Sequence, residues 1–414
     1  MELSRAMSIS STPTPREGLE PNYKEHSHTW AAGGGLHRVL CMQGGDDDGS
    51  YAKNSEAPAS AITLCKPLLL TAIQSLKLFK EEGIKDSIRI ADLGCATGYN
   101  TLATVDMVVE SLRRRYIQEC GFEPEFEAFF SDLPSNDFNS LFRSLPAAAT
   151  LSSDGNAKPR RYYAAGVPGS FYDRLFPKRK LHVAVSLSAL HWLSKIPDTV
   201  LDKRSPAWNK GRAWIDGAKR EVVEAYAKQS EEDLDNFLRC RKEEIVQGGM
   251  LFMVMGGRPG SEQQLENQLG DPDSRAKHPF ATSMDEAWQD LLNQGLINEE
   301  TRDGFNIPAY MRSMEEVERA IKRCGGFELQ LMEYQRIMEH SEEKHKEWIR
   351  DPVSYGRAKA NLVRATLRPI VEAHLGPYLS QDLFNCFEKR VSSDTTLLHK
   401  TCFYGVIVAC AIRN

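Results

Sequence analysis

The stretch Asp92-Leu93-Gly94-Cys95-Ala96-Thr97-Gly98-Tyr99-Asn100 constrains this chain more than any other. It continues the apolar run Ile88-Arg89-Ile90-Ala91, which reads as a short buried strand, and it leads into a segment of helical character. A strand that ends on an acid, turns through glycines and opens a helix is the first crossover of a parallel sheet. Glycine lets the backbone approach a ligand where a side chain would collide. The first N–H groups of the helix are free to meet an anion. A dinucleotide-binding turn carries G-x-G-x-x-G; this one has G-x-x-x-G, which argues against a dehydrogenase.

The rest of the chain fits that start. Residues 124–133 alternate like a second strand, and 181–188 and 250–255 are further strand candidates. The apolar run 401–412 is expected to pair with 327–334 as an antiparallel edge, and 62–78 has helical spacing. The expected fold is α/β, a Rossmann-like doubly wound sheet. Residues 260–310 and 355–392 are helix-like with no strand nearby and are expected to form an α-helical cap. The polar stretch 146–161 reads as an exposed loop. Residues 1–35, rich in Ser, Pro, Gly and charge, bury too little to be ordered and read as a flexible tail before a domain over 36–414.

Bulk properties narrow the class. With 414 residues, 41% of them hydrophobic, the chain can build a large core. A net charge of −5 with mixed signs carries no nucleic-acid footprint. The nine cysteines show no C-x-x-C pair, which suits reduced thiols in a cytoplasmic protein. No apolar run approaches the roughly 20 residues of a membrane span, and no secretory signal opens the sequence.

A second acid sharpens the turn. Asp132 falls at the carboxyl end of the second strand, where ligands bind in open α/β sheets. In an S-adenosylmethionine site, Asp92 would answer the ammonium of the methionine part and Asp132 the two ribose hydroxyls. The bland alternatives are a plain glycine turn and an Asp-x-Pro surface turn.

Longer blocks carry a family resemblance. Met42-Gln43-Gly44-Gly45 with Ser50-Tyr51-Ala52-Lys53-Asn54-Ser55 resembles the opening signature of the SABATH methyltransferases, the salicylate, benzoate and theobromine type. Asp132-Leu133-Pro134-Ser135-Asn136-Asp137-Phe138-Asn139, Val167-Pro168-Gly169-Ser170-Phe171-Tyr172, Leu190-His191-Trp192-Leu193-Ser194, Trp208-Asn209-Lys210-Gly211 and Phe305-Asn306-Ile307-Pro308 follow in the family's order. The resemblance implies a class I methyltransferase domain with a helical cap, working as a homodimer on a small-molecule acceptor. It implies methyl esters of carboxylic acids as products, with some members methylating ring nitrogens.

Position by position, the resemblance implies cofactor contacts from Tyr51, Ser55, Asp92, Asn100, Asp132, Leu133, Ser170 and Phe171. Some members show a magnesium site, which Asn209, Asp303, the Phe305 carbonyl and Asn306 would match. Acceptor positioning falls to Gln43, Ser188, His191 and Trp192. Two positions depart from the family: Pro58 replaces a carboxylate-clamping Gln, and Ser188 replaces a pocket Tyr. Proline offers no side-chain donor, so one usual carboxylate contact is missing.

A carboxylate is ionised at neutral pH and needs no general base, so the expected catalysis is positioning and exclusion of water. No catalytic dyad is required. A phenol or ring nitrogen would need a base, and His191 is the candidate; its bland reading is a satisfied core histidine, as Trp192's is a core aromatic. The lost clamp also leaves open an inactive metabolite-binding relative.

Overall fold

The computed structural model describes residues 35–77, 87–145, 160–258, 260, 280–338, 340–400 and 403–414. The expected tail at 1–35 lies outside them except for Gly35; so do 146–159 of the polar loop and 261–279 of the first cap segment.

Helices α1 (Tyr51–Asn54) and α2 (Glu56–Ser75) precede strand β1 (Ile88–Leu93). Then come α3 (Tyr99–Cys120), β2 (Phe126–Asp132), α4 (Phe138–Arg143), β3 (Tyr163–Pro168) and β4 (Leu181–Leu187). Helices α5 (Asp198–Leu201) and α6 (Arg220–Glu244) lead to the long strand β5 (Ile245–Arg258). The C-terminal third holds α7 (Ala281–Asn293), α8 (Glu299–Asp303), β6 (Arg312–Ser313), α9 (Met314–Cys324), β7 (Phe327–Met338), α10 (Glu342–Arg350), α11 (Pro352–Ser393) and β8 (Phe403–Arg413).

The strands form one sheet in the order β3-β2-β1-β4-β5-β8-β7, with β6 beside the end of β5. Strands β1 to β5 run parallel; β8 is antiparallel to both β5 and β7, as expected for 401–412 against 327–334. Alternation explains the apolar run in β5. Met250, Phe252 and Val254 enter the apolar layer on one face, while Leu251, Met253 and Met255 enter the other. A strand covered on both faces must be apolar throughout. The sequence reading missed β3, an edge strand whose Tyr163-Ala164-Ala165-Gly166-Val167-Pro168 is mostly exposed and carries no apolar alternation.

A third apolar cluster lies off the sheet. Helices α7 and α11 pack on each other there, with Trp288 stacked on Phe305 at 4.8 Å between ring centroids and Phe280 edge-on to Phe387 at 6.0 Å. Helix α11 is broken at Gly376, whose φ of 77° and ψ of 167° only glycine adopts readily. That break lets two helical arms follow the curvature of the cluster. Among the described residues no helix is long and apolar enough to cross a membrane.

Candidate active site

The β1–α3 turn is held by its glycines. Gly94 has φ +83°, and a Cβ there would lie 2.3 Å from the Ala189 Cβ on the loop after β4. Gly98, the N-cap of α3, has φ +113°, and a Cβ there would lie 3.1 Å from that of Ala52. The tips of β1 and β2 are tied together: Gly94 and Cys95 donate their N–H groups to the Ser131 carbonyl at 2.8 and 3.1 Å. Asp132 accepts from the N–H of Ala96 and from that of Leu133, each at 2.7 Å.

Asp92 is 3% exposed. Its Oδ2 accepts from the Thr101 hydroxyl at 2.5 Å, while its Oδ1 is buried with no hydrogen-bond partner among the described residues. Burial pushes the Asp92 carboxyl up to about 7, with the Thr101 hydroxyl opposing and the charge of Asp132 adding. Burial likewise pushes Asp132 up to about 6 against its two N–H donors. Two desolvated acids without a facing cation form a site that lacks a positive ligand. S-adenosylmethionine fits it: an ammonium for the orphan Asp92 oxygen, a ribose diol for Asp132, and glycine turns that leave the backbone bare.

The two acids open into a cavity of about 330 Å³ at the carboxyl ends of β1, β2, β4 and β5. Tyr51, Asn100, Leu133, Ser170 and Phe171 line it as well. The Tyr51 phenol is pushed up by burial and by Asp132, so it stays a donor. Ser55 is set behind the wall, accepting from the Asn100 amide at 3.1 Å. Ser170 and Phe171 ride on a loop pinned from below by a buried pair on α6. Arg241 donates to the carbonyls of Phe171 at 2.8 Å and Asp173 at 2.9 Å, and Glu244 accepts from the N–H of Leu175 at 2.6 Å and of Phe176 at 3.0 Å. Neither residue of that pair was singled out from the sequence.

Ser188, His191 and Trp192 line the other half. Ser188 has φ 61° and donates its N–H to the Val254 carbonyl at 2.7 Å, which turns the chain off β4. Trp192 pairs with Ala309 as an isolated antiparallel bridge, and its carbonyl accepts from the Tyr172 hydroxyl at 2.5 Å. The His191 and Trp192 rings sit 5.4 Å apart. Gln43 is not on the cavity wall; its backbone N–H is bonded to the Ala365 carbonyl at 2.7 Å. Pro58 and Ile62 from α2, Met284 from α7, Leu362 and Thr366 from α11, Met311 and Tyr404 add to a wall that holds no Lys or Arg side chain among the described residues. Most of these are ordinary apolar residues scattered over the sequence, with no motif to mark them.

The four positions matched to magnesium do converge, and the one carboxylate among them is already paired with a guanidinium. The one carboxylate, Asp303, accepts from Arg302 Nε and from the Gly211 N–H, both at 2.9 Å. The Asn209 amide donates to Asn306 Oδ1 at 2.7 Å and to the Trp214 carbonyl at 3.1 Å. Hard cations take oxygen ligands; at this cluster the Arg302 guanidinium already balances the charge of the one acid.

Comparison with known proteins agrees with this geometry. A family model described as SAM dependent carboxyl methyltransferase matches residues 37–414. Gibberellic acid methyltransferase 2 of Arabidopsis thaliana is 60% identical over 91% of this chain and 95% of its own length. Gibberellic acid methyltransferase 1 of the same plant is 55% identical over 91% of this chain and 98% of its own. A solved structure of loganic acid methyltransferase with SAH superposes with a TM-score of 0.76 at 33% identity, covering 90% of this chain and 99% of that one.

Proposed function

The chain belongs to the SAM-dependent carboxyl methyltransferase family, and from that premise we propose that its acceptor is a bulky polycyclic carboxylic acid of the gibberellin kind. The reaction itself is methyl-ester formation on a carboxylic acid. When bound, S-adenosylmethionine would supply an electrophilic methyl group, which would pass to the acid's carboxylate oxygen as the S–CH3 bond gives its electron pair to sulfur.

The residues of this chain position and desolvate. Asp92 faces the amino-acid end of the cofactor and Asp132 its ribose, while Tyr51, Asn100, Leu133, Ser170 and Phe171 frame it and Ser55 orients Asn100. Trp192 offers its indole N–H to the acceptor carboxylate, with His191 beside it. Helices α7 and α11 act as a cap whose Met284, Leu362 and Thr366 close the acceptor half. Removing water strengthens each remaining polar contact and holds the reacting atoms in line. Because a carboxylate is already ionised, no general base is needed. The family likeness supports a homodimer, and the dispersed cysteines without a C-x-x-C pair support a cytoplasmic location.

One observation carries the choice of acceptor: the two relatives at 60% and 55% identity are both gibberellic acid methyltransferases, whereas indole-3-acetate O-methyltransferase 1 of Arabidopsis thaliana is 38% identical. The wall agrees with it. Pro58 and Ser188 stand where the family carries a longer Gln and a larger Tyr, which widens the cavity for a rigid polycyclic body. The test is methyl transfer from radiolabelled S-adenosylmethionine to a panel of gibberellic, indole-3-acetic and loganic acids with product identification. Methyl gibberellate as the leading product is expected. Preference for either of the other acids overturns the reading.

A further inference from the structure

Gly256 sits near the end of β5, paired with Val406 of β8, and lines the cavity. Its φ is not positive, so the backbone there does not require glycine. Glycine inside a strand weakens it and commonly marks a place where something approaches closely. What approaches is Met311. The pairing of Gly257 with Arg312 brings Met311 alongside Gly256. A Cβ on Gly256 would lie 2.7 Å from Met311 Sδ, 3.4 Å from its Cε and 3.7 Å from His191 Nδ1.

The neighbouring glycine has a different reason for being there. A Cβ at Gly257 would lie 2.6 and 2.7 Å from the Ile407 side chain of β8 and 3.0 Å from the Arg312 backbone carbonyl, so backbone as well as side chain would have to shift. At Gly256 the atoms in the way are the mobile end of one thioether side chain. Methionine adapts to irregular space, so the fold can accept a side chain at 256 if Met311 moves, and both residues face the cavity.

We propose that Gly256 is a specificity-determining residue that sets the depth of the acceptor pocket. The missing side chain lets the Met311 thioether lie back against the sheet beside His191, and the ring body of the acceptor takes the space Met311 would otherwise fill. The inference rests on the bulky-acid reading above.

The experiment compares wild type, Gly256→Ala, Gly256→Val and the double variant Gly256→Val/Met311→Ala. Initial rates are measured with gibberellic acid and with benzoic acid as a compact acceptor, and S-adenosylhomocysteine affinity by calorimetry. Gly256→Val should lower kcat/KM for gibberellic acid about tenfold or more, chiefly through KM, the usual effect of lost space in an apolar pocket. Gly256→Ala should fall between it and wild type. Benzoic acid turnover and S-adenosylhomocysteine affinity should stay within about twofold, and Met311→Ala should recover at least about threefold of the loss. Equal losses for both acids, a parallel loss of S-adenosylhomocysteine binding, or no recovery in the double variant overturns the proposal in favour of a structural glycine. Failure of the acceptor reading looks different: wild type then leaves gibberellic acid unmethylated, and the same comparison runs on the largest acid it does accept.

Discussion

Asp92→Asn should make the cofactor-free protein more stable while destroying its cofactor site. The wild-type carboxylate is buried with one oxygen unpaired, and its carboxyl is pushed from 3.8 up to about 7. At 1.36 kcal/mol per unit, that displacement corresponds to a folding penalty of about 4 kcal/mol when the group is ionised, an upper figure because the site can relax. The folded state holds this proton more tightly than the unfolded chain does. The penalty is therefore full above about pH 7 and shrinks as pH falls towards the ordinary carboxylate range. It is about 4 kcal/mol at pH 8, about 3 at pH 6 and under about 2 at pH 5. Asparagine keeps the shape and an acceptor for the Thr101 hydroxyl but removes the charge.

For a chain of this length 1 kcal/mol moves Tm by roughly 1–2 °C, so the variant should melt about 4–8 °C above wild type at pH 8. The gap should narrow by more than half at pH 5. Scanning calorimetry of both proteins, with and without S-adenosylhomocysteine, reads all of this in one series. Saturating ligand at about 100 Kd should stabilise wild type by about 2.7 kcal/mol and the variant by little. A variant that melts below wild type at pH 8 without ligand, or a gap indifferent to pH, would refute the reasoning.

Two further outcomes bear on the other half of the site. Trp192→Ala should cut kcat/KM for the acceptor acid by about 100-fold, as loss of a hydrogen-bonded aromatic contact can, with S-adenosylhomocysteine affinity unchanged by calorimetry; an equal loss of both assigns the indole to the core. Exhaustive dialysis against a chelator, followed by millimolar magnesium, should leave Tm where it was, because Arg302 already occupies the charge-balancing position at Asp303. A rise of several degrees on adding magnesium would show that the guanidinium gives way.

How much of this could be read from the sequence follows from how far apart the parts lie. The cofactor half was legible because it is local. Asp92, Gly94 and Gly98 fall within one βα turn, and Asp132 ends the strand that pairs with β1 in register. Residue type and spacing there are dictated by backbone conformation and by charge. The acceptor half comes from segments near 58, 188, 256, 311, 362 and 404, joined only by the fold. Its residues are small or apolar and look like any core residue until the sheet and helices place them. Gly256 is the clearest case, since its meaning lies in Met311, and the residues that bring the two together belong to different strands. The edge strand β3 went unread for a related reason: it buries little, so selection for burial leaves no period of two in its sequence.

The same division accounts for where charge is found. Both carboxylates of the cavity sit at strand tips, fixed by N–H and hydroxyl donors from the turn and the helix it opens, and nothing on the cavity wall among the described residues is a Lys or Arg. An acid entering the acceptor half loses its hydration with the Trp192 indole, the His191 ring and the Ser188 hydroxyl among its polar company, and burying an unpaired carboxylate is costly. In the proposed reading, its entry becomes favourable once the cofactor's sulfonium faces it, with the cofactor held by its ammonium at Asp92 and by its ribose at Asp132. A resident arginine in the pocket would grip the acid with or without the donor; its omission ties acid binding to the presence of the group that can react with it.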